Sequence, residues 1–246
     1  MFIFSYLIVI ILGLYLGSFL TAISLRLASE QKLFSKHSFC DSCHARIKFT
    51  NLIPVVGYLL TKGKCSNCKS EISVKYTIWE VVHCIAFVLN FAAFHNSPLS
   101  LIFFALLTAA MFVIAIVDCE TMFVYHIHIA FFGFFLFLFL YEQKLLDVTP
   151  WSCAAASAPP LFKLVYEYIR EKITKERLTI VGWGDVYIFI ILFFLLDFLN
   201  ISIIMMISGL CGVFFGLARK SGKNAHYPFI PSISLAVYTI FIWKFL

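Results

Sequence analysis

Long uncharged apolar runs alternate with short polar breaks along this chain. A helix needs roughly 20 apolar residues to cross a hydrocarbon core. Residues 2–25 carry no charge, and 81–117 form a second uncharged run of 37 residues. The first predicts a span over about 3–25. The second is long enough for two, at about 78–95 and 99–117, with the polar HNSP at 95–98 as the turn. Further spans are predicted at about 122–141, 186–200, 202–218 and 229–245. The stretch 153–169 is less regular. Its APP at 158–160 removes helix donors and crowds the preceding turn, so it reads as a kinked span or an interfacial segment. The opening run has no positive residue ahead of it and exceeds the length of a secretory h-region, so it reads as a membrane helix. Within it, Gly13 and Gly17 in GLYLGSF permit close helix contact.

Composition sharpens this picture. Of 246 residues, 62% are hydrophobic, 13% are charged and 29 are Phe. The mean hydropathy is +0.95. Too few polar residues exist to cover a water-soluble core of this size, which excludes a soluble enzyme, a secreted disulfide scaffold and a disordered chain. The expected fold is an all-α polytopic membrane protein of about eight transmembrane helices. The net charge of +6 is unevenly placed. Nine of the 19 Lys and Arg lie between Arg26 and Lys75, five between Lys163 and Arg177, and three between Arg219 and Lys223. With 153–169 crossing, all three clusters share one side, which the positive-inside rule makes cytoplasmic. Both termini then lie outside. The basic segment lacks aromatic interleaving and sits between spans, so no nucleic-acid partner is expected; membrane lipid is.

The predicted organisation is a first helix at 1–27, a polar insert at 28–77 and a multi-helix membrane domain at 78–246. The insert carries Cys40, Cys43, Cys65 and Cys68 as C-x2-C-x21-C-x2-C. Its halves, CDSCHARI and CSNCKSEI, echo each other and suggest two similar turns folding onto one metal. Four thiolates suit tetrahedral zinc and leave no open position, so the metal is expected to be structural. It would supply much of the insert's folding energy. A cytoplasmic location argues against disulfides. His37 and His44 are nearby alternative ligands. Cys84, Cys119, Cys153 and Cys211 are scattered and read as small apolar fillers.

Asp118 stands where the third span emerges and Asp185 where the sixth enters, both at cytoplasmic ends. Carboxylates beside hydrocarbon are costly and generally have a partner or a task. Two in one site do not both ionise easily, so they share a proton. The ionised one can then take a proton from water while the other polarises a peptide carbonyl. The alternative is a pair of exposed interfacial charges. Glu120 competes with Asp118, Glu80 is a helix-end charge or a partner, and Asp197 lies near the opposite face. Gly182 and Gly184 around Trp183 allow unusual turns and close backbone approach before Asp185.

These residues resemble the prepilin peptidases, membrane aspartic proteases of the GxGD type. GSFLTAISLRL at 17–27 is similar to the family's G-S-F-L-N-V-x-x-x-R-L opening, with Thr21 in place of Asn. NLIPVVGYLLTKGKCSNCKSEISVKYTIWE at 51–80 resembles its insert without a gap. GWGD at 182–185 fits G-x-G-D, and VDCETMF at 117–123 carries the other acid. PFIPSISLA at 228–236 is a worn form of P-F-G-P-F-L-A. The resemblance implies catalysis by Asp118 and Asp185 in a bacterial inner membrane. The expected substrates are type IV prepilins or pseudopilins, cut after a basic leader at the cytoplasmic face. It also implies N-methylation of the new amino terminus with S-adenosylmethionine, with no residue here marking a donor site.

The chain departs from that pattern. Val124, Tyr125 and His126 replace an Ile-Pro-Asp, and Tyr187 replaces a Lys two residues after the second Asp. His126 and His128 read as helix-end polar residues, with substitution for the missing cation as the alternative. The competing readings are a proton- or ion-coupled transporter, which predicts carboxylates deep in broken helices, an inactive pilin-binding relative, and a zinc-stabilised scaffold.

Overall fold

The computed structural model describes residues 2–31, 33, 38–146, 148–174, 182–218 and 228–246. His37 and the basic positions 175–177 and 219–223 lie outside the described residues. The fold is all-α, and among the described residues the only β pairing is two isolated bridges. The chain forms two compact units, 1–95 and 96–246.

In the first unit, α1 (Phe2–Ala28) packs against α3 (Lys75–Phe94). The pair is antiparallel: Tyr6 meets Phe91, Gly13 meets Cys84 and Phe87, and Gly17 meets Glu80 and His83. A Cβ on Gly17 would lie 3.0 Å from His83 Cβ and 3.1 Å from the Glu80 carbonyl. The small-residue spacing in the sequence is therefore the contact line of the two helices. The insert connects them and holds a 3-10 turn (Phe49–Leu52) and the short α2 (Val56–Leu60).

The second unit begins with an antiparallel hairpin of α4 (Pro98–Thr121) and α5 (His126–Glu142). Pro98 occupies the first turn of α4, where its missing N–H costs nothing. At the other end Met122 turns left-handed at φ 57° and donates its N–H to the Asp118 carbonyl, which stops the helix one turn past Asp118. Gln143 closes the hairpin with a 2.6 Å hydrogen bond to Ser100. The 150–174 segment forms two helices, α6 (Pro150–Ala155) and α7 (Ala158–Thr174), broken ahead of Pro159 and Pro160. Both pack on α8 (Trp183–Leu195). Next come α9 (Phe198–Ala218) and α10 (Ile230–Phe245), which pack on each other; α10 also packs on α4. The centre is aromatic, with Phe104, Phe139 and Phe241 fully buried and their rings 4.9–6.3 Å apart.

By length and composition Ile3–Ala28, Lys75–Phe94 and Pro98–Thr121 can each cross a membrane; α5, α8, α9 and α10 are shorter apolar helices. Large apolar groups such as Phe134, Phe198, Leu210 and Trp243 are exposed, whereas Ser24, Asn90, Ser100, Ser208 and Ser232 are buried. An apolar exterior over an interior holding small polar groups suits hydrocarbon as the solvent.

Candidate active site and candidate metal centre

The two aspartates are brought to one end of the second unit. Asp118 lies on the last turn of α4 and is 6% exposed. Its Oδ2 accepts the Ile230 N–H at 3.2 Å, so the first amide of α10 points at this acid. Helix N-termini favour negative charge. The PFIPSISLA segment thus supplies a donor to Asp118. Asp185 sits on the first turn of α8, half-buried, and its Oδ2 accepts the Gly182 N–H at 3.2 Å. Ile230 links the two acids: its N–H reaches Asp118, and its Cδ1 lies 3.9 Å from where a Cβ on Gly184, the neighbour of Asp185, would stand.

Gly184 explains the approach. A Cβ there would lie 3.0 Å from Val124 Cβ, in the α4–α5 turn, and 3.9 Å from Ile230 Cδ1. Only hydrogen at position 184 lets the first turn of α8 settle against that turn. Gly182 is different. Its φ of −66° and ψ of 154° are open to any residue, and a Cβ would meet only the Asp185 carboxylate at 3.5 Å and the Gly184 amide at 3.9 Å. The expectation of unusual turns at both glycines is corrected: neither has a positive φ, and close approach falls on Gly184 alone.

His126 stacks edge-on against Tyr187 at 5.4 Å, and His128 stacks edge-on against Tyr125 at 5.6 Å. Among the described residues, Lys163 of α7 brings a cation to the first turn of α8, which carries Asp185. It is 3% exposed and its Nζ stands 4.3 Å over the Trp183 ring. The sequence reading counted Lys163 with the basic run that follows it. The usable signal was its position inside 153–169, because an ionisable group in a membrane segment is a functional candidate by default. Glu120 is exposed, and so is Asp197, which pairs with Asn200.

In the first unit the four insert cysteines converge. Their Sγ atoms all lie within 4.8 Å of one another, with Cys40–Cys68 at 3.8 Å and Cys43–Cys65 at 4.0 Å. A tetrahedral ion with sulfur at about 2.3 Å separates its ligands by about 3.8 Å, so the donor set fits zinc. None of the four is disulfide-bonded, and His44 is not in the cluster. The sequence echo is a structural one. Cys40 N–H bonds Ala45 O at 3.0 Å and Cys65 N–H bonds Ser70 O at 2.9 Å. His44 and Lys69, at matching places, both turn left-handed, at φ 54° and 62°. The Cys43 backbone N–H, the Ser70 hydroxyl and the Ser42 backbone N–H bring the Cys40 thiol down to about 6. Ser70 also draws the Cys68 thiol below its ordinary value. Both effects favour the thiolates that a metal requires. Glu80 ties the insert to α3 by accepting the Val55 N–H at 2.8 Å. Cys84 fills the α1–α3 interface, with its Sγ 3.5 Å from the Ile10 carbonyl.

The family model named Bacterial Peptidase A24 N-terminal domain matches residues 11–94. A prepilin leader peptidase/N-methyltransferase of Bacillus subtilis (strain 168) is 26% identical over 232 residues, covering 92% of this chain and 90% of that protein. One of Neisseria gonorrhoeae is 24% identical, covering 86% and 74%. A type 4 prepilin-like proteins leader peptide-processing enzyme of Escherichia coli O78:H11 is 24% identical, covering 94% and 91%. The chain is thus similar to prepilin leader peptidases over nearly its whole length and to the A24 N-terminal domain over residues 11–94. No solved structure matches it. The family match spans α1, the insert and α3, so it covers the cysteine turns, and the B. subtilis relative extends the likeness over nearly the whole chain. Tyr187 packs against Trp183 and His126, with ring centroids 6.1 and 5.4 Å apart.

Proposed function

We propose that the chain is a membrane aspartic endopeptidase that removes the basic leader of type IV prepilins or pseudopilins at the cytoplasmic membrane face. The likeness to prepilin leader peptidases supports a leader-processing role. The observation that carries the finer reading is the meeting of Asp118 and Asp185 at the ends of α4 and α8. Two carboxyls within reach of each other's charge hold one proton between them near neutrality. The ionised member takes a proton from water, and the water oxygen attacks the scissile carbonyl carbon. The protonated member donates to the carbonyl oxygen. Collapse breaks the C–N bond, and the leaving nitrogen takes a proton from the pair. The products are the leader's carboxylate and a new amino terminus.

The same geometry supports the crossing count. Asp118 ends α4 and Asp185 begins α8, so both acids can share a face only if the chain crosses between α5 and α8. The split α6–α7 segment makes that crossing in an eight-span arrangement, with the insert and the acids on the cytoplasmic side. A transporter would hold its acids at mid-helix; these sit on terminal turns.

Cys40, Cys43, Cys65 and Cys68 would hold zinc, whose contribution when bound is to fix the insert's two turns. Methylation of the new amino terminus from S-adenosylmethionine comes to this chain through its relatives' names, and no residue is assigned to it. Purified wild type, Asp118→Asn and Asp185→Asn, each given a membrane-inserted prepilin, test the reading. Cleavage by wild type and its loss in both variants are expected. Undiminished cleavage by either variant removes that acid from catalysis. Labelled S-adenosylmethionine in the same assay reports the second step.

A further inference from the structure

Lys163 occupies an expensive position. A lysine on a membrane helix ordinarily extends its stem toward the interface and leaves its ammonium in water. Here the side chain is 3% exposed and turned inward. Burying an ammonium is costly unless charges and polarisable faces surround it. Three such groups do. Glu167 Oε1 lies 3.6 Å from Nζ, one turn on along α7. The Trp183 ring lies beneath it at 4.3 Å, within the range of a cation–π contact. Asp185 shares the first turn of α8 with Trp183, so the ammonium stands at the turn that carries the acid. Trp183 is the variable residue of the GWGD motif, so this motif carries both the acid and the platform for the cation.

From this arrangement we infer that Lys163 is the positioning residue of the aspartyl pair. Its ammonium, held by Trp183 and Glu167, keeps the ionised carboxylate on Asp185 and leaves the shared proton to Asp118. It takes the place of the cation that Tyr187 cannot supply. Tyr187 carries no positive charge, and its ring is engaged with His126 and Trp183. The cation therefore comes from a different helix, α7, which packs on α8. Lys163 touches no reacting atom; it acts through Asp185. This inference rests on the aspartyl-peptidase reading.

The test uses the full-length protein in liposomes with a membrane-inserted prepilin. An opposite charge within about 4–6 Å biases a carboxylate's protonation by about one to three logarithmic units. Lys163→Met is therefore expected to lower kcat by about 10-fold or more, with KM little changed. Lys163→Arg, which keeps the charge and the stacking, is expected to recover most of the rate. A Lys163→Met protein with wild-type kcat overturns the inference. So does a loss expressed only in KM. Equal loss in Lys163→Met and Lys163→Arg, with both unfolding at the wild-type temperature, also overturns it, because shape rather than charge would then be at stake. Failure of wild type itself to cleave defeats the peptidase reading, and the Lys163 inference falls with it. Normal wild-type cleavage beside an unaffected Lys163→Met protein defeats this inference alone.

Discussion

The two glycines of GWGD are chemically identical and two residues apart, yet the structure gives them unequal weight. A methyl group on Gly184 would stand 3.0 Å from Val124 Cβ and 3.1 Å from Val124 Cγ2. Carbon atoms rest at about 3.5–4.0 Å, so one side must retreat by roughly 0.5 Å. Val124 does not yield easily: it is 9% exposed, β-branched, and follows the left-handed Met122. The first turn of α8 must move instead, and Asp185 moves with it. Overpacking of this kind costs about 1–3 kcal/mol. A displacement near 1 Å at a reacting group costs about 100-fold in rate, so half of that is expected to cost about 10-fold. Gly184→Ala is expected to lower kcat for prepilin cleavage by about that factor, and Gly184→Val by more. Gly182→Ala, whose methyl meets no neighbour closer than 3.5 Å, is expected to stay within about twofold of wild type. Initial rates on a membrane-inserted prepilin, with thermal unfolding of each variant, decide it. Equal damage at both glycines, or greater damage at Gly182, would refute the packing argument and return the motif's glycines to a role in backbone conformation.

Other outcomes follow from the insert and from the α1–α3 contact. A Cβ on Gly57 would fall 2.1 Å from the Asn51 carbonyl oxygen, and Asn51 bonds Ser66 in the second cysteine turn at 2.7 Å; Gly57→Ala is therefore expected to abolish metal retention, measured as metal per chain after purification. Lys69 holds a left-handed φ of 62°, which costs an L-residue about 1–2 kcal/mol; Lys69→Gly is expected to retain the metal at least as well as wild type, and Lys69→Val less well, in a chelator competition. Stripping the metal with a chelator is expected to open residues 38–73 to limited proteolysis while leaving α4 and α5 protected. Gly17→Leu forces a side chain against His83 and the Glu80 carbonyl and is expected to lower the unfolding temperature by several degrees.

The sequence was most informative where one physical requirement repeats along the chain. Uncharged runs located most of the helices, because hydrocarbon demands continuous apolar length; the predicted 186–200 span stops instead at Leu195, and 153–169 divides between two helices. The paired CxxC turns were legible for a related reason. Thiolates two by two on similar turns leave an echo that survives differences of residue type, and His44 and Lys69 share a backbone conformation despite unlike side chains. The two acids were legible as helix-end charges, and a shared site was expected of them; what the pattern did not reveal is the amide of Ile230, 112 positions from Asp118, that Asp118 accepts.

Lys163 escaped for the opposite reason. Hydropathy is an average over a window, and one lysine among AAASAPPLFKLVYEY only dilutes it. The charge count then absorbed it into a basic cluster, where a lysine is expected to face water. What separates Lys163 from that cluster is its neighbour across a helix contact: an indole on the turn of α8 that carries Asp185. The break ahead of Pro159 belongs to the same account. Proline cannot continue the α6 hydrogen-bond ladder, so the segment restarts as α7 with a new face. That restart sets which residues look toward α8, and Lys163 is among them. The irregularity that made 153–169 a poor span by composition is thus the device that delivers a cation to Asp185. A straight apolar helix in its place would leave the acid without its counter-charge.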